Sequence, residues 1–311
     1  MSIQTMKAIQ VHGYGDADQL KLEQIAQPEP GEGEVLVRVH AAGVNPVDWK
    51  IRAGFMKDFR PLTFPYIPGF DIAGVVEKVG AGVTAFQSGQ EVFGQSSRGA
   101  YTEYAVALVG MLALKPKNLS FDEAAAIPVG ATTAWQALFD HGNLQPGQRV
   151  LILGGAGGVG LFAVQFAHWK GAHVISTAST RNVEFVRSLG AETVIDYTKT
   201  SVEDAVKDVD LVFDTVGGDA LATVWPTIKR GGTLVAIAGQ PDAAKANELS
   251  VHTASFSATV SSELLGTFAQ LIDKGQVKVT LATTFPLNEA AKAQELSQSG
   301  HGRGRIVLHI A

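Results

Sequence analysis

The sequence predicts an α/β protein that combines a β-rich domain with a domain built on a doubly wound parallel sheet. Three observations lead to this expectation: the length of 311 residues, the short strand-like runs of the first third, and a later alternation of strands and helices around a cluster of glycines. A chain of this length usually forms two domains rather than one. It can bury a large core without a metal or a disulfide.

The bulk composition excludes several classes of function. Hydrophobic residues make up 46% of the chain and charged residues 18%, as in ordinary globular proteins. The net charge is −5 and no dense basic block occurs, so we expect no nucleic-acid partner. Because cysteine is absent, disulfides, thiolate nucleophiles and cysteine-held zinc are excluded.

We find no signal for export or for membrane insertion. Met1–Met6 lacks the basic and apolar segments of a signal peptide. The apolar run Val150–Ala167 has about the length of a membrane span, but the glycines clustered within it favour a strand, a turn and a helix. The absence of cysteine suits a reducing compartment. We therefore expect a cytoplasmic protein with no membrane partner.

The first third of the chain predicts β-structure. Short apolar or alternating runs are separated by Gly, Pro and Asp, which is typical of strands joined by turns. The predicted strands are Met6–Val11, Glu34–His40, Ile72–Val79 and Tyr101–Val106. This pattern predicts a barrel or a sandwich.

The pattern changes near Leu119. Ser120 and Glu123 have the spacing of a capping box and predict a helical region that continues to about His141. Thr200 and Glu203 predict a second capping box. Near-continuously apolar strands then alternate with helices, which predicts a parallel sheet covered on both faces. The strands are Arg149–Leu153, His173–Thr177, Thr193–Asp196, Asp210–Asp214 and Thr233–Ala236, and the helices between them are Gly158–Lys170 and Thr180–Leu189.

The C-terminal tail predicts two further helices and two further strands. They are Val260–Lys274, Val277–Thr284, Asn288–Leu296 and Arg305–Ile310, in the order helix, strand, helix, strand. We expect this tail to return to the β-rich domain. The predicted division is therefore 1–120 with 256–311 for the β-rich domain, and 121–255 for the parallel-sheet domain.

The Gly-rich turn after Arg149–Leu153 predicts a dinucleotide site. Gly155, Gly157 and Gly160 satisfy G-x-G-x-x-G, and the motif follows a strand and opens a helix. In such a turn the first glycine permits the tight bend, the second admits the pyrophosphate, and the third lets helix and strand pack closely. Ala156, Gly158 and Val159 complete the predicted cofactor turn. The alternative is a Gly-rich turn with a purely structural role.

The residues after the second strand of this unit favour NADPH over NADH. An NAD site places Asp or Glu there to bind the ribose hydroxyls. The stretch Ser176–Asn182 has hydroxyls and Arg181 instead, and no acid occurs before Glu184. Hydroxyls and an arginine suit a 2′-phosphate. Alternatively, Ser179 or Thr180 only caps the next helix and Arg181 is a solvated charge.

Taken together, several motifs resemble those of the medium-chain dehydrogenase/reductases, in particular the zinc-free, zeta-crystallin-like quinone oxidoreductases. The resemblance covers essentially the whole chain. It implies a GroES-like catalytic domain and a Rossmann domain that binds the cofactor. The motifs are Ala42–Asp48, Pro68–Gly74, Ala125–Pro128, Gly155–Gly160, Asp214–Gly218 and Gly304–Leu308.

Two positions depart from the zinc alcohol dehydrogenases that the chain also resembles. Those enzymes have a cysteine where Asn45 stands and a His-Glu pair where this chain has Phe70 and Asp71. The four-cysteine structural zinc lobe is also missing. The departure argues against alcohol oxidation through a zinc-bound alkoxide. The scattered histidines show no metal-binding spacing, so we expect no metal.

The resemblance implies hydride transfer from NADPH to a quinone or an α,β-unsaturated carbonyl. It places Asn45 beside the nicotinamide, and gives Lys50 one of two roles: to hold the nicotinamide ribose or to neutralise the developing enolate. The alternatives are that Lys50 is an exposed charge on a short helix, Pro46–Ala53, and that Asn45 is a turn residue before Pro46.

The same resemblance assigns further residues to the cofactor. It implies that Thr133 faces the nicotinamide carboxamide or the phosphates, and that Ser179, Arg181 and Tyr197 surround the 2′-phosphate. Val216 and the stretch Ala236–Ala238 are implied to line the cofactor groove, and Arg305 to lie near the cofactor. We expect the substrate site in a cleft between the domains.

Two other functions stay open at this stage. One is a 2-enoyl thioester reductase of the same superfamily, and the other is a crystallin-like protein that holds NADPH with little turnover. Four aromatic residues of one Pro-containing loop either wall an apolar substrate cleft or form local core: Phe55, Phe59, Phe64 and Tyr66. We expect a homodimer formed through an edge strand of the cofactor domain, near Gly232–Ala238 and Asn247–Val251.

Overall fold

The computed structural model describes residues 4–300 and 302–311, so the prediction on Met1–Met6 falls partly outside it. The described chain forms two compact units. The first unit contains the residues up to Val129 together with Val260–Gly275 and Val279–Ala311. The second unit contains Gly130–Thr259 and Gln276–Lys278.

The N-terminal part of the first unit is mainly β-structure. Its strands are β1 Thr5–Gln10, β2 Lys21–Ala26, β3 Glu34–Val44, β4 Asp71–Val79, β5 Glu91–Gln95, β6 Tyr104–Leu108 and β7 Leu112–Leu114. Two short helices follow β3 and β7, α1 Pro46–Arg52 and α2 Phe121–Ala125. Tyr101 is predicted to begin a strand, but its amide and that of Ala100 donate to the Pro68 carbonyl, so β6 starts at Tyr104.

The second unit alternates strands and helices. Its elements are α3 Pro128–Trp135, β8 Arg149–Leu153, α4 Gly160–Trp169, β9 His173–Ala178, α5 Val183–Ser188, β10 Thr193–Asp196, α6 Val202–Ala205, β11 Val209–Asp214, α7 Gly218–Thr223, β12 Ile228–Ala236, α8 Ala243–Leu249 and β13 His252–Ala254. The helical region after Ser120 is interrupted: α2 ends at Ala125, α3 begins at Pro128, and a π-helical turn covers Gln136–His141.

The two predicted capping boxes have different outcomes. The first is confirmed, because the Glu123 amide donates to Ser120 Oγ at 3.3 Å and the Ser120 amide donates to Glu123 Oε2 at 2.9 Å. The second is wrong by one residue. Ser201, not Thr200, caps α6, and its hydroxyl accepts from the Asp204 amide at 3.3 Å.

The C-terminal tail contains α9 Ser262–Asp273, β14 Leu281–Pro286, α10 Ala290–Gln298 and β15 Arg305–His309. The predicted strand Val277–Thr284 begins too early. The Lys278 amide donates to Gln165 Oε1 at 2.7 Å, and its carbonyl accepts from Gln165 Nε2 at 3.0 Å. Lys278 is therefore held by a side chain of α4 rather than by a neighbouring strand.

The strands form three sheets. Most of the first unit is a seven-stranded sheet in the order β14-β15-β3-β4-β5-β7, with β6 paired to β3, and β1 and β2 form a separate ribbon. The tail joins this sheet because β15 pairs antiparallel with β3, Ile306 opposite Val44. The second unit holds a six-stranded parallel sheet in the order β10-β9-β8-β11-β12-β13.

Alternating inward side chains of β3, among them Val35, Val37 and Val39, are fully buried in the core of the first unit. In the second unit Leu151, Val212 and Leu234 are buried on adjacent parallel strands. Each such side chain stabilises the fold by about 1.5–3 kcal/mol. Within the described residues, no helix has the length and apolar character needed to cross a membrane.

Candidate active site and cofactor turn

The Gly-rich turn lies at the carboxyl end of β8, where the chain leaves the parallel sheet and enters α4. Hydrogen bonds to β9 hold it: the Gly154 amide donates to Thr177 Oγ1 at 2.9 Å and the Gly155 amide to the Thr177 carbonyl at 3.1 Å. The Gly157 amide closes the turn on the Gly154 carbonyl at 2.9 Å. The ten-residue helix α4 begins at Gly160, so its N-terminus is at the end of the turn.

The three motif glycines have different surroundings. A Cβ at Gly155 would lie 2.2 Å from Ser176 Oγ, and one at Gly160 would lie 2.1 Å from the Gly154 carbonyl oxygen. A Cβ at Gly157 would meet only the Gly154 oxygen, at 3.3 Å. The fold therefore requires Gly155 and Gly160, whereas Gly157 leaves open space beside the backbone.

This arrangement fits the pyrophosphate of a dinucleotide. A pyrophosphate needs close approach to backbone amides and the positive end of a helix dipole, and the turn supplies both. Ala156 is buried in the turn, whereas Gly158 and Val159 are partly exposed just before α4.

The residues expected around a 2′-phosphate follow β9. The Ser179 carbonyl accepts from the Asn182 amide at 2.8 Å, and no side-chain cap is formed there. The hydroxyl of Thr180 donates to Asp196 Oδ2 at 2.6 Å, so it does not cap the helix either. Arg181 is exposed, and Tyr197 is 58% exposed.

Asp196 is a residue of this region that sequence reasoning missed. It ends β10 opposite Ala178 of β9, so the sheet brings it beside the segment in which an NAD site would place its acid. Hydrogen bonds from Thr180 and Thr198 hold the pKa of Asp196 well below its ordinary value. Its carboxylate also lies 3.2 Å from Lys199 Nζ. The oxygens of Asp196 are thus engaged by the protein's own hydroxyls and lysine.

The loops after β11 and β12 converge in the second unit. Asp214 is buried and accepts from the Val216 and Gly217 amides, each at 3.0 Å, while the Asp214 carbonyl accepts from the Ile237 amide at 3.1 Å. Burial raises the pKa of Asp214. Val216 is 54% exposed.

A groove opens beside these loops at the carboxyl ends of the strands. Its lining includes Ala236, Ile237, Gly239 and Phe256. Ala238 lies beside Gly217: a Cβ added to Gly217 would come 2.4 Å from the Ala238 carbonyl oxygen. The predicted groove residues Val216, Ala236 and Ala238 therefore share one edge of the parallel sheet.

Asn45 lies at the centre of a buried polar cluster in the first unit. Its side-chain Nδ2 donates to Asp71 Oδ2 at 3.0 Å, and its Oδ1 accepts from Arg305 Nη2 at 2.7 Å. Arg305 also donates through Nε to the Ala126 carbonyl at 2.8 Å. Asn45, Asp71 and Arg305 come from the start of α1, from β4 and from β15. The orientation of the Asn45 amide is thereby fixed on both of its atoms.

Asp71 is completely buried and carries the charge that balances Arg305. Within the described residues, its two oxygens accept from four nitrogen donors: Asn45 Nδ2, the Val129 amide, Gln95 Nε2 and Arg305 Nη2. Burial raises the pKa of Asp71 to about 6, and the Arg305 charge and the hydrogen bonds oppose that rise. The structure thus places Arg305 in contact with Asn45 as a positioning side chain.

Lys50 and Thr133 are the remaining predicted residues. Lys50 lies on α1, partly exposed, with its Nζ 5.7 Å from the centre of the Trp49 ring. Thr133 is buried on α3 in the second unit. Of the loop aromatics, Phe55 and Phe59 are 72% and 90% exposed, whereas Phe64 packs edge-on against Tyr14 with ring centres 5.0 Å apart. Phe64 is therefore partly buried against a neighbouring loop.

Comparison with known proteins identifies the family. The alcohol dehydrogenase GroES-like domain matches residues 31–117, and the zinc-binding dehydrogenase domain matches residues 189–308. The chain is 39% identical to the NADPH-dependent alkenal/one oxidoreductase of Arabidopsis thaliana, over 98% of this chain and 79% of that protein. It is 35% identical to quinone oxidoreductase of Mus musculus, over 97% of each chain. The solved quinone oxidoreductase of Coxiella burnetii superposes with a TM-score of 0.91 at 33% identity, covering 99% of this chain and 100% of that one.

The chain belongs to the medium-chain dehydrogenase/reductase superfamily, in its quinone oxidoreductase subgroup. The predicted GroES-like and Rossmann domains are confirmed. At the positions where zinc alcohol dehydrogenases have zinc ligands, this medium-chain reductase has Asn45, Phe70 and Asp71. The side chain of Phe70 has no atom that could bind a metal. Among the described residues, no group of three or more His, Asp or Glu side chains is arranged to hold a metal.

Sequence reasoning also missed Asp48 of this reductase. Asp48 is 2% exposed, accepts from the Asn45 amide at 2.8 Å, and accepts from the Tyr101 hydroxyl at 2.8 Å. The available signal was its position three residues after an Asn-Pro helix start, where an acid reaches back to the capping residue. The contact with Tyr101 had no signal in the sequence, because 53 residues separate the two.

Proposed function

We propose that this protein is an oxidoreductase that uses NADPH to reduce a quinone or an α,β-unsaturated carbonyl compound without a metal. The observation that carries the proposal is the turn at Gly155–Gly160. The backbone of the turn requires glycine at Gly155 and Gly160. At Gly157, in contrast, there is open space beside the backbone that a purely structural turn would not need. The names of the relatives support both the cofactor and the class of acceptor.

The second unit supplies the residues that would hold NADPH. We assign the pyrophosphate to the turn residues, the 2′-phosphate to Ser179, Arg181 and Tyr197, and the nicotinamide carboxamide or phosphates to Thr133. Val216, Ala236 and Ala238 would line the groove. NADPH supplies a hydride. Arg181 suits a phosphate because it is exposed and enters no ion pair with another described residue.

In the first unit we assign Asn45 and Lys50 to the nicotinamide end of the cofactor. The contacts from Asp71 and Arg305 engage one N–H and one lone pair of the buried Asn45 amide and so fix its direction. A preoriented polar group does not have to reorganise as the reaction proceeds. Arg305 acts on the cofactor through Asn45 in this proposal.

The side chains that stand where zinc alcohol dehydrogenases have zinc ligands support a metal-independent reaction. Asn45 and Asp71 are hydrogen-bonded to each other and to Arg305. A cation at this point would face the buried guanidinium of Arg305, which is 3% exposed. The charge of Asp71 is already balanced by that guanidinium.

We propose a homodimer and a cytoplasmic location. The predicted contact at Gly232–Ala238 needs correction, because β12 is paired on both sides, by β11 and by β13. The strands at the two edges of this sheet are β10 and β13, and we propose the short strand β13, His252–Ala254, in place of β12. Light scattering of the purified chain would test the dimer, and a monomeric mass would overturn it. Fractionation of the source cells would test the location, which differs from that of the chloroplastic relative.

The deciding experiment follows NADPH oxidation with naphthoquinone and with an α,β-unsaturated ketone, beside NADH and with EDTA. We expect turnover with NADPH, a marked preference over NADH, and no loss with EDTA. The better acceptor would separate quinone from enone reduction. Tight NADPH binding with no turnover on either acceptor would reject this function in favour of an enoyl thioester reductase or a non-catalytic NADPH-binding protein.

A further inference from the structure

The loops that follow β9 and β10 lie side by side at the carboxyl end of the parallel sheet in the second unit. The two strands are parallel with Asp196 opposite Ala178, and the Tyr197 amide donates to the Ala178 carbonyl at 3.2 Å. The strand β9 also holds the Gly-rich turn, because the Gly154 amide donates to Thr177 Oγ1 at 2.9 Å. Both loops therefore belong to the same corner of the sheet as the candidate cofactor turn.

The residues that we assign to the 2′-phosphate are divided between these two loops. Ser179 and Arg181 follow β9, whereas Tyr197 follows β10. Arg181 and Tyr197 are exposed, so packing does not hold their side chains in place. Binding a phosphate orders such side chains and the loops that carry them, at a cost in conformational entropy. A contact that already fixes the two loops therefore strengthens the binding of a 2′-phosphate.

Asp196 provides this contact. Its Oδ2 accepts from the Thr180 hydroxyl at 2.6 Å, and Thr180 directly precedes Arg181. Its Oδ1 accepts from the hydroxyl and the amide of Thr198, at 2.6 and 3.1 Å, and Thr198 directly follows Tyr197. One carboxylate thus joins the loop of Arg181 to the loop of Tyr197.

The acceptor sites of Asp196 are filled by the protein itself. A carboxylate accepts about four hydrogen bonds. Asp196 accepts from Thr180 and Thr198, and Lys199 Nζ lies 3.2 Å from its Oδ2. An NAD site has an acid in this corner that accepts from the ribose hydroxyls. Asp196 is beside the place of that acid, but its oxygens are already engaged.

The negative charge of Asp196 is balanced by an ammonium group rather than by a proton. Hydrogen bonds from Thr180 and then from Thr198 hold the pKa of Asp196 well below its ordinary value, so the acid stays ionised. An ionised carboxylate without a counter-charge would repel a 2′-phosphate. The nearby Lys199 reduces that repulsion.

We propose that Asp196 is a positioning residue that sets the preference for NADPH over NADH. It joins the loop of Arg181 to the loop of Tyr197, so that both loops are ordered before a 2′-phosphate binds. Its filled oxygens do not serve a ribose hydroxyl as the acid of an NAD site does. This inference rests on the proposed function, which assigns these loops to the 2′-phosphate. Asp196 acts through its neighbours and need not touch the cofactor.

Fluorescence titration of the whole protein with NADPH and with NADH tests the sign of the effect. Asp196→Ala should weaken NADPH binding by about tenfold, the lower end of the loss for a hydrogen bond to a charged group, and leave NADH binding unchanged. If Asp196 only repelled the 2′-phosphate, the same substitution would strengthen NADPH binding. If Asp196 only stabilised the fold, NADPH and NADH would both bind more weakly. Either result would overturn the inference.

Thr180→Val breaks the contact between the loops without changing a charge or the size of the side chain. It should also weaken NADPH binding, whereas Thr180→Ser keeps the hydroxyl and should bind NADPH as the wild type does. Because Asp196→Ala removes the same contact, adding Thr180→Val to it should cause no further loss. Losses that add in the double variant would contradict a shared contact.

Two controls lie at the other end of the same strand. Thr193→Val replaces a hydroxyl at the start of β10, and Glu192→Ala removes an exposed carboxylate just before it. Both variants should match the wild type in the ratio of NADPH affinity to NADH affinity. An equal fall in this ratio for a control would show that the effect does not depend on the contact between the loops.

The outcomes separate this inference from the proposed function. If NADPH reduces a quinone or an enone but Asp196→Ala has the wild-type affinity ratio, the proposed function is supported and the inference is wrong. The expected changes in affinity would support the inference even if neither acceptor is reduced. A wild-type chain that binds NADH as tightly as NADPH would overturn the inference directly.

Discussion

At the scale of single residues, the chemistry of the candidate site depends on how side chains are held. Asn45 is orientated by Asp71 and Arg305, which are 26 and 260 positions away in the chain. Lys50 is the opposite case: it is partly exposed, and within the described part of the chain its side-chain ammonium is found only near the Trp49 ring. The position of Asn45 is therefore determined by the fold, whereas Lys50 is free to follow a ligand.

Replacing Lys50 with alanine distinguishes its two proposed roles. In the first role, Lys50 holds the nicotinamide ribose. Lys50→Ala should then weaken NADPH binding about tenfold and change kcat little. Fluorescence titration with NADPH and steady-state kinetics with an enone measure the two effects separately.

Lys57→Ala is a suitable control for this experiment, because Lys57 is an exposed lysine of the segment that follows α1. It should match the wild type in both measurements. A large fall in kcat for Lys50→Ala with unchanged NADPH affinity would instead assign the developing charge to Lys50. Equality of Lys50→Ala and Lys57→Ala would show that Lys50 is a solvated charge.

At the scale of elements, the turn between β8 and α4 decides between a structural and a ligand-binding role for its glycines. Gly160 faces backbone, because a Cβ there would lie 2.1 Å from the Gly154 carbonyl oxygen. Gly157 faces open space beyond its single contact at 3.3 Å. The two positions therefore predict different consequences of the same substitution.

Gly157→Ala should leave the free energy of unfolding within about 0.5 kcal/mol of wild type, as at an uncrowded site. It should nevertheless weaken NADPH binding by about tenfold or more, because the added methyl group occupies the approach of the pyrophosphate. Gly160→Ala should instead destabilise the protein by about 1–3 kcal/mol through overlap with fixed backbone. Urea unfolding and NADPH titration of both variants measure these effects.

Gly110→Ala provides the control, because a Cβ at Gly110 meets nothing within 4 Å. Its NADPH affinity should equal that of the wild type. A stable Gly157→Ala variant with normal NADPH affinity would contradict the phosphate assignment and leave the turn with a structural role only.

At the scale of the whole molecule, the buried acids of the first unit couple stability to pH. Burial raises the pKa of Asp48 to about 7 and that of Asp71 to about 6, from 3.8 in both cases. The folded chain thus retains protons that the unfolded chain has already released. Since the native state binds more protons in this range, rising pH lowers the free energy of unfolding between about pH 4 and 7.

Asp48→Asn should remove the larger part of this pH dependence. A shift from 3.8 to about 7 corresponds to on the order of 4 kcal/mol. Relative to wild type, the variant should gain stability as pH rises from about 4 to about 7 and hold that gain above it. Urea unfolding followed by circular dichroism at several pH values measures the difference. If the difference in the free energy of unfolding between Asp48→Asn and wild type does not change with pH, Asp48 has the same pKa in the folded and unfolded states.

The predictable part of the fold was set by local patterns. Arg149–Leu153 and Thr193–Asp196 are strands with the predicted limits, because buried parallel strands are bounded by sharp changes in composition. The capping box at Ser120 also needs only four neighbouring residues. Predictions that needed a distant partner were less accurate: the start of β14 depends on Gln165, and that of β6 on Pro68.

The sequence by itself determined the two kinds of domain, the Gly-rich turn, the family, and the presence of Asn45 and Phe70 where zinc alcohol dehydrogenases have ligands. These follow from residue type and short spacing, which a chain carries whatever its conformation. Only the tertiary structure decided which polar groups meet. It joined Asn45 to Asp71 and Arg305, brought Asp196 beside Thr180, and joined Asp48 to Tyr101. Such contacts depend on strand order and burial, because hydrogen bonds over long separations in the chain form only after the sheets have assembled.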